Sequence, residues 1–155
     1  MQCRVYLSNN RLTSLPMNMV TLSNVTELYL YNNKLSEWPP ALFAMTQLSG
    51  LYLYDNQLRC MPSDGAVLKL LKILNLGGND MTHIDPALGQ LANLEVLYLH
   101  NNLRLCFLSS TLCGLTRLDT LYSSGTSLPK EARADVWRNR DRAQELLQIA
   151  TVPAR

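Results

Sequence analysis

The chain has 155 residues, of which 47% are hydrophobic, and its formal net charge is only +2. This length is enough for one domain with a continuous core, and the composition indicates no second domain. The basic residues are dispersed and no apolar run is long enough to cross a bilayer, so we expect neither a nucleic-acid nor a membrane partner.

The first element that the sequence predicts is a short strand, and the same pattern then recurs along the chain. The clearest copy is Val25 to Pro39, which reads VTELYLYNNKLSEWP. The copies follow one another every 23 residues, except that one extra residue near Leu103 delays the last copy to 24. The marker positions are Val5, Leu7, Asn10, Leu12; Leu28, Leu30, Asn33, Leu35; Leu51, Leu53, Asn56, Leu58; Leu74, Leu76, Asn79, Met81; Leu97, Leu99, Asn102, Leu105; and Leu121, Ser123, Thr126, Leu128.

Each copy contains a Leu-x-Leu alternation, which is typical of a strand with one buried face. Leu28 and Leu30 then point to the core, whereas Tyr29 and Tyr31 point away from it. One turn of this length cannot bury its apolar face alone, so the turns must stack and their strands must form a parallel sheet.

An asparagine ends each strand pattern in the first five copies, and Thr126 takes its place in the last. The chain turns out of the sheet there and leaves backbone groups without partners, and a side-chain amide supplies both a donor and an acceptor. We therefore predict a structural role for this column and not a binding role. Its members are Asn10, Asn33, Asn56, Asn79 and Asn102.

The pattern L-x-x-L-x-L-x-x-N-x-L from Val5 to about Pro129 resembles the leucine-rich repeat family, in particular its 23-residue class with Leu-Pro after the asparagine turn. The resemblance implies an α/β solenoid: a curved horseshoe with a parallel concave sheet and short helical or irregular convex segments. Residues 1–129 would form about six coils. Prolines 16, 39, 62 and 86 would start the return legs, where apolar residues three apart favour helical turns.

The two ends of the solenoid raise separate expectations. Met1 to Arg4 leave little room for a polar cap, so the first coil should expose an apolar edge. Self-association through that end, or a longer parent protein, would cover it. Residues 130–150 contain many helix formers and no internal glycine or proline, which predicts a C-terminal capping helix of the same domain, followed by a tail at 151–155.

The four cysteines are not spaced as metal ligands and do not form the terminal clusters of exported repeat proteins. They are Cys3, Cys60, Cys106 and Cys113. We expect no metal, no cofactor and a cytoplasmic location, with an exported effector that has no recognisable leader as the alternative.

All seven tyrosines occupy outward strand positions, so they should form one aromatic surface on the concave sheet. On the fourth strand, Asn75, Gly77 and Gly78 should leave a notch in this surface. Tyrosine is enriched at binding hot spots, although a copied repeat would give the same row. The predicted partner-binding residues are Tyr6, Tyr29, Tyr31, Tyr52, Tyr54, Asn75, Gly77, Tyr98, His100 and Tyr122.

These residues predict a module that binds a protein or peptide. Two alternatives remain open: a recruiting domain of a larger bacterial effector or signalling protein, and a module for glycan or pattern recognition. An enzyme is a weaker interpretation, because the only suggestive pair is His100 with Ser124. The nearest acid, Asp55, should lie two strands away from it, and no oxyanion donors are evident.

Overall fold

Six three-residue strands form at the Leu-x-Leu positions of the computed structural model, which describes residues 2–130 and the backbone of residues 137–138. Neighbouring strands pair in parallel and in chain order, with equivalent tyrosine positions side by side, as in Tyr6 beside Tyr29. The predicted repeat solenoid with a parallel sheet is therefore confirmed. The strands are β1 (Arg4–Tyr6), β2 (Glu27–Tyr29), β3 (Gly50–Tyr52), β4 (Ile73–Asn75), β5 (Val96–Tyr98) and β6 (Thr120–Tyr122).

The return legs contain short 3-10 helices, which confirms the helical turns expected on the convex side. Some begin at a proline, as η2 does at Pro40, where the missing N–H costs nothing. Before η4, the side chain of Asp85 accepts a hydrogen bond from the N–H of Ala87 at 2.7 Å. These helices are η1 (Met17–Thr21), η2 (Pro40–Ala44), η3 (Ser63–Val67), η4 (Pro86–Gln90) and η5 (Ser110–Gly114).

The core is one continuous stack of leucines between the sheet and the return legs. Leu28 and Leu51 at the centres of β2 and β3 are fully buried. In the first coil, by contrast, Val5 and Leu7 are only partly buried. We call the face of the sheet opposite this core the concave face.

The asparagine column joins each coil to the one before it. The Nδ2 atom of Asn56 donates to the carbonyl oxygens of Leu53 in its own coil and of Leu30 in the preceding coil, both at 3.0 Å. Its Oδ1 atom accepts from the N–H of Leu35 at 3.0 Å. The predicted structural role is therefore confirmed. Thr126 is the weaker substitute, because its hydroxyl donates only to Ser123, at 2.7 Å.

The predicted C-terminal helix is wrong at Trp137–Arg138. These two residues form a strand, β7, which pairs antiparallel with β6 at the end of the sheet. An unpaired strand edge offers backbone donors and acceptors, and satisfying them outweighs a local preference for helix. Apart from Lys130 and this strand, the predicted cap and tail lie outside the described residues.

Candidate functional site

The tyrosines of the concave face form three stacks of rings. We call Tyr6, Tyr29 and Tyr52 the first ladder, in which successive ring centroids are 4.6 and 4.5 Å apart. Tyr31 and Tyr54 form the second ladder at 4.4 Å, and Tyr98 and Tyr122 form the third at 4.2 Å. The stacking follows from the parallel register, which sets equivalent side chains one strand spacing apart, about 4.8 Å. The rings are slightly closer than that, as expected on the hollow side of a curved sheet.

Seven of the ten predicted binding residues line a single open concavity of about 430 Å³. It contains the whole first and second ladders, and one ring of the third ladder closes its far side. Tyr6 is 65% exposed, whereas the other rings are half-buried against their neighbours. The lining residues are Tyr6, Tyr29, Tyr31, Tyr52, Tyr54, Asn75 and Tyr98.

The remaining three predicted residues contribute differently. Tyr122 lies behind Tyr98 in the third ladder. Gly77 is buried, and the imidazole ring of His100 lies over it in the place that a Cβ atom would take. The notch that the sequence predicts is therefore filled at Gly77 by the ring of His100. The sequence does not show this, because the direction of the His100 side chain depends on the tertiary structure.

An ion pair at the N-terminal ends of the strands was not predicted. Nε of Arg4 lies 3.2 Å from Oε2 of Glu27, and the hydroxyl of Tyr29 donates to that same carboxylate oxygen at 2.5 Å. This hydrogen bond raises the pKa of Tyr29 well above its ordinary value, with burial as a further cause. Arg4 and Glu27 occupy equivalent positions in successive copies, so the register alone was a usable signal.

Burial has a similar effect on two other rings of the concavity. It raises the pKa of Tyr52 and of Tyr54, because removal from water disfavours the charged phenolate. At neutral pH these phenols are protonated and can donate hydrogen bonds. The surface therefore presents flat apolar rings together with hydroxyl groups.

The pair considered for catalysis is not assembled in the structure. The N–H of Asn101 donates to the carbonyl of Ser124, so His100 and Ser124 are neighbours in register. The His100 ring nevertheless turns towards β4 and packs edge-on against Tyr98, with centroids 6.1 Å apart. Within the described residues, no three His, Cys, Asp or Glu side chains come together as metal ligands would. No helix in that part of the chain is long and apolar enough to cross a bilayer.

Comparison with known proteins identifies the repeat. A family model described as leucine rich repeat matches residues 4–60. A Listeria monocytogenes internalin, InlF, is 26% identical, with a TM-score of 0.66 over 82% of this chain and 36% of its own. The ectodomain of the receptor kinase SOBIR1 from Arabidopsis thaliana is 28% identical, with a TM-score of 0.64 over 80% of this chain and 69% of its own.

A third similar structure contains a bound factor. It is the ectodomain of the Arabidopsis receptor kinase GASSHO1/SCHENGEN3 in complex with CASPARIAN STRIP INTEGRITY FACTOR 2. It is 31% identical, with a TM-score of 0.68 over 79% of this chain but only 15% of its own. The chain thus spans about a third of the internalin structure and a smaller share of this receptor. A search of curated protein sequences gives no match.

Proposed function

Because this chain belongs to the leucine-rich repeat family, we propose that it is a binding module whose concave face takes a protein or peptide. Repeats of this family are generally interaction modules without catalytic activity, and they commonly bind proteins or peptides. The GASSHO1/SCHENGEN3 ectodomain, held in complex with its factor, is one relative for which a partner is known. Membership of this family supports a binding function, and the tyrosines of the concave face support that face as the binding site.

The observation that carries the proposal is the distribution of the tyrosines. Five of the seven lie in the first and second ladders, and all five line the same concavity. Tyrosine provides a large contact area at a small cost in side-chain entropy, and stacked rings have already lost most of that freedom. A partner that binds here therefore meets a surface whose rings are held in place before binding.

The shape and chemistry of the concavity favour an extended polypeptide. The rings supply flat apolar contacts, and the neutral hydroxyls of Tyr52 and Tyr54 supply hydrogen-bond donors for a peptide backbone. At one side, the Arg4–Glu27 pair adds a charge of each sign. A single peptide segment with apolar side chains and one charged residue can use all three features.

The double substitution Tyr31→Ala with Tyr54→Ala tests the location of binding. It removes the second ladder while the core leucines remain, so the variant should fold and lose affinity at least tenfold for peptides selected from a displayed random library. A matched control, Val67→Ala with Leu70→Ala, truncates two exposed apolar residues away from the concave face and should bind normally. Equal binding by the folded ladder variant and the wild type would refute the proposal.

Glycan recognition is the second candidate, because tyrosine ladders also present flat faces to sugar rings. A glycan array, probed beside the peptide library with the same protein, separates the two. Binding to glycans that is lost in the ladder variant, without any peptide selected, would replace the peptide with a sugar on the same face.

The wider context of the module is also a proposal. The internalin relative is bacterial and this chain matches about a third of it, which supports the interpretation as a recruiting domain of a larger bacterial effector or signalling protein. A cytoplasmic location is supported by the four cysteines, which stand as separate thiols. Fractionation of cells that express the native protein, with detection by an antibody, would decide the location. Recovery from the medium would favour the exported effector.

A further inference from the structure

One acidic side chain lies beside the first ladder. Glu27 faces the concave side two residues before Tyr29 on β2, and its side chain is 16% exposed. The equivalent positions on the other strands hold an arginine, a glycine, an isoleucine, a valine and a threonine. Because the strands form with any of these residues, the repeat itself does not require a carboxylate here.

The carboxylate of Glu27 receives two donors from the protein. Nε of Arg4 lies 3.2 Å from Oε2 of Glu27, and the hydroxyl of Tyr29 donates to the same oxygen. A largely buried carboxylate is costly unless it accepts hydrogen bonds and is paired with a cation, and Glu27 meets both conditions. The Tyr29 ring is therefore held at its hydroxyl end as well as at the backbone.

The same glutamate borders another ring of the first ladder. Gly50 is the register partner of Glu27 on β3. A Cβ atom built on Gly50 would lie 3.2 Å from Cε2 of Tyr52 and 3.3 Å from Cγ of Glu27. Both side chains thus lie over Gly50, and they fit there because glycine has no side chain. Tyr52 leans back along its own strand, towards the position beside Glu27.

Stacking extends the effect of these contacts along the ladder. The Tyr29 ring stacks on Tyr6 at 4.6 Å with an interplanar angle of 14°. It stacks on Tyr52 at 4.5 Å and 3°. The ring that Glu27 holds is therefore the middle one, with a neighbour against each face. A tilt of this ring would displace its neighbours, because rings at this separation are in contact.

From these contacts we propose that Glu27 is a positioning residue of the concave face. By accepting from the Tyr29 hydroxyl, it holds the first ladder in the arrangement that the partner meets. This inference deepens the proposed function and rests on it for its consequence, which is a lower cost of ordering on binding. A ring that is already held loses little freedom when a peptide packs against it. Glu27 acts through Tyr29 and need not contact the peptide.

Loss of the carboxylate should loosen the ladder. In Glu27→Ala the Tyr29 hydroxyl loses its acceptor. NMR of the full chain with ¹³C-labelled tyrosines should then show weaker ring-to-ring contacts in the first ladder and faster exchange of the Tyr29 hydroxyl proton. Glu27→Gln keeps an oxygen that can accept from this hydroxyl, so it should restore both signals in large part. The rings of the third ladder lie on other strands and serve as an internal reference.

Glu95→Ala is the matched control. Glu95 pairs with Lys72 at 3.2 Å, a distance equal to that of the pair at the first ladder. It lies outside the set of described residues that line the concavity. The control removes one carboxylate and one ion pair while Glu27 stays in place. It should leave the ladder signals and the affinity for selected peptides unchanged, which separates the position of Glu27 from a general loss of charge.

A double-mutant cycle tests whether Glu27 acts through Tyr29. For peptides selected on the wild type, Glu27→Ala and Tyr29→Phe should each weaken binding about fivefold, because each removes one end of the same hydrogen bond and leaves the ring to be ordered on binding. The double variant should bind no more weakly than either single variant. Losses that multiply would show that Glu27 contacts the peptide directly or acts elsewhere, and would overturn the inference.

The outcomes differ for the two proposals. A ladder that loosens in Glu27→Ala, together with a non-additive loss of affinity, supports both. A ladder that loosens while the selected peptides bind as tightly as to the wild type overturns the positioning role and leaves the proposed function standing. Unchanged ring contacts in Glu27→Ala overturn the inference whatever the affinities are. A library that yields no ligand for the concave face refutes the proposed function, and the NMR result alone then decides whether Glu27 holds the ladder.

Discussion

The asparagine column makes hydrogen bonds both within each coil and between adjacent coils. The carbonyl of Leu30 accepts from Asn33 in its own coil and from Asn56 in the next, both at 3.0 Å. The carbonyl of Leu53 is shared in the same way by Asn56 and Asn79. The column is therefore a continuous hydrogen-bonded chain that crosses the coil boundaries. Its loss at one position affects two coils.

Asn56→Ala tests this arrangement. The change removes the side-chain hydrogen bonds of Asn56 and leaves the buried N–H of Leu35 without its acceptor, so the free energy of unfolding should fall by about 3 kcal/mol. Asn10 belongs to the same column but is exposed, and within the described part of the chain its side chain bonds only inside its own coil. Asn10→Ala should cost less than about 1 kcal/mol in the same urea titration. Equal losses would show that the inter-coil bonds contribute little.

The hydrogen bond from Tyr29 to Glu27 makes the free energy of unfolding depend on pH in the alkaline range. The folded pKa of Tyr29 lies above that of a free tyrosine, so this group's contribution is fully present below about pH 10 and is lost as the pH rises towards the folded pKa. Absorbance of phenolate at 295 nm should show a late ionisation step to which Tyr29 contributes, above the pH at which a free tyrosine ionises. In Glu27→Gln that late step should move to lower pH, and an unchanged titration would contradict the assignment.

At the scale of the element, the turn after each strand repeats one backbone conformation. The residue at this point has a positive φ in every described coil, with values of 53 to 64°. Asparagine, aspartate and glycine are the residues that adopt this region at low cost. Each copy of the repeat thus contains a strand followed by a turn whose residue must adopt a positive φ. The six positions are Asn9, Asn32, Asp55, Gly78, Asn101 and Gly125.

Alanine and asparagine at position 78 should differ in stability, because they differ in their preference for a positive φ. Gly78→Ala places a Cβ-bearing residue with no preference for this region at a φ of 61°, so we expect a loss of about 1 to 2 kcal/mol in stability. Gly78→Asn should lose clearly less, because asparagine tolerates this region. Its amide can also donate to Asp55, as Asn32 donates to Asn9 at 2.9 Å. Urea unfolding of both variants would reveal the order, and a more stable alanine variant would contradict this account.

At the scale of the whole molecule, the described solenoid differs at its two ends. Among the described strands, β6 is paired on its outer side by β7, whereas β1 is paired only with β2. In the first coil, Met17 is 61% exposed and Val20 is 37% exposed. Exposed apolar surface of this kind favours association. We therefore retain self-association through the first coil as a proposal.

Light scattering after size exclusion tests this association. The average mass of the wild type should rise with protein concentration, because copies that meet at the first coil bury its apolar edge. Met17→Glu with Val20→Glu should remain monomeric, since burial of the two carboxylates would be costly. A wild-type mass that stays monomeric at every concentration would contradict the proposal.

Much of the fold can be predicted from the sequence because its information is local and repeated. The spacing of Leu28, Leu30 and Asn33 determines which side chains face the core and where the strand ends. Five further copies repeat this spacing. The register then follows, so the rows of rings on the concave face are also predictable. Assignment to the 23-residue class stays a prediction, as does the partner-binding role of the ten residues.

The tertiary structure decides what depends on contacts between coils and at the ends. The His100 ring lies over Gly77 because the neighbouring strand leaves room there, and no pattern within one copy encodes that direction. Trp137 and Arg138 lie in a helix-favouring stretch but pair with β6, since an unpaired strand edge outweighs local propensity.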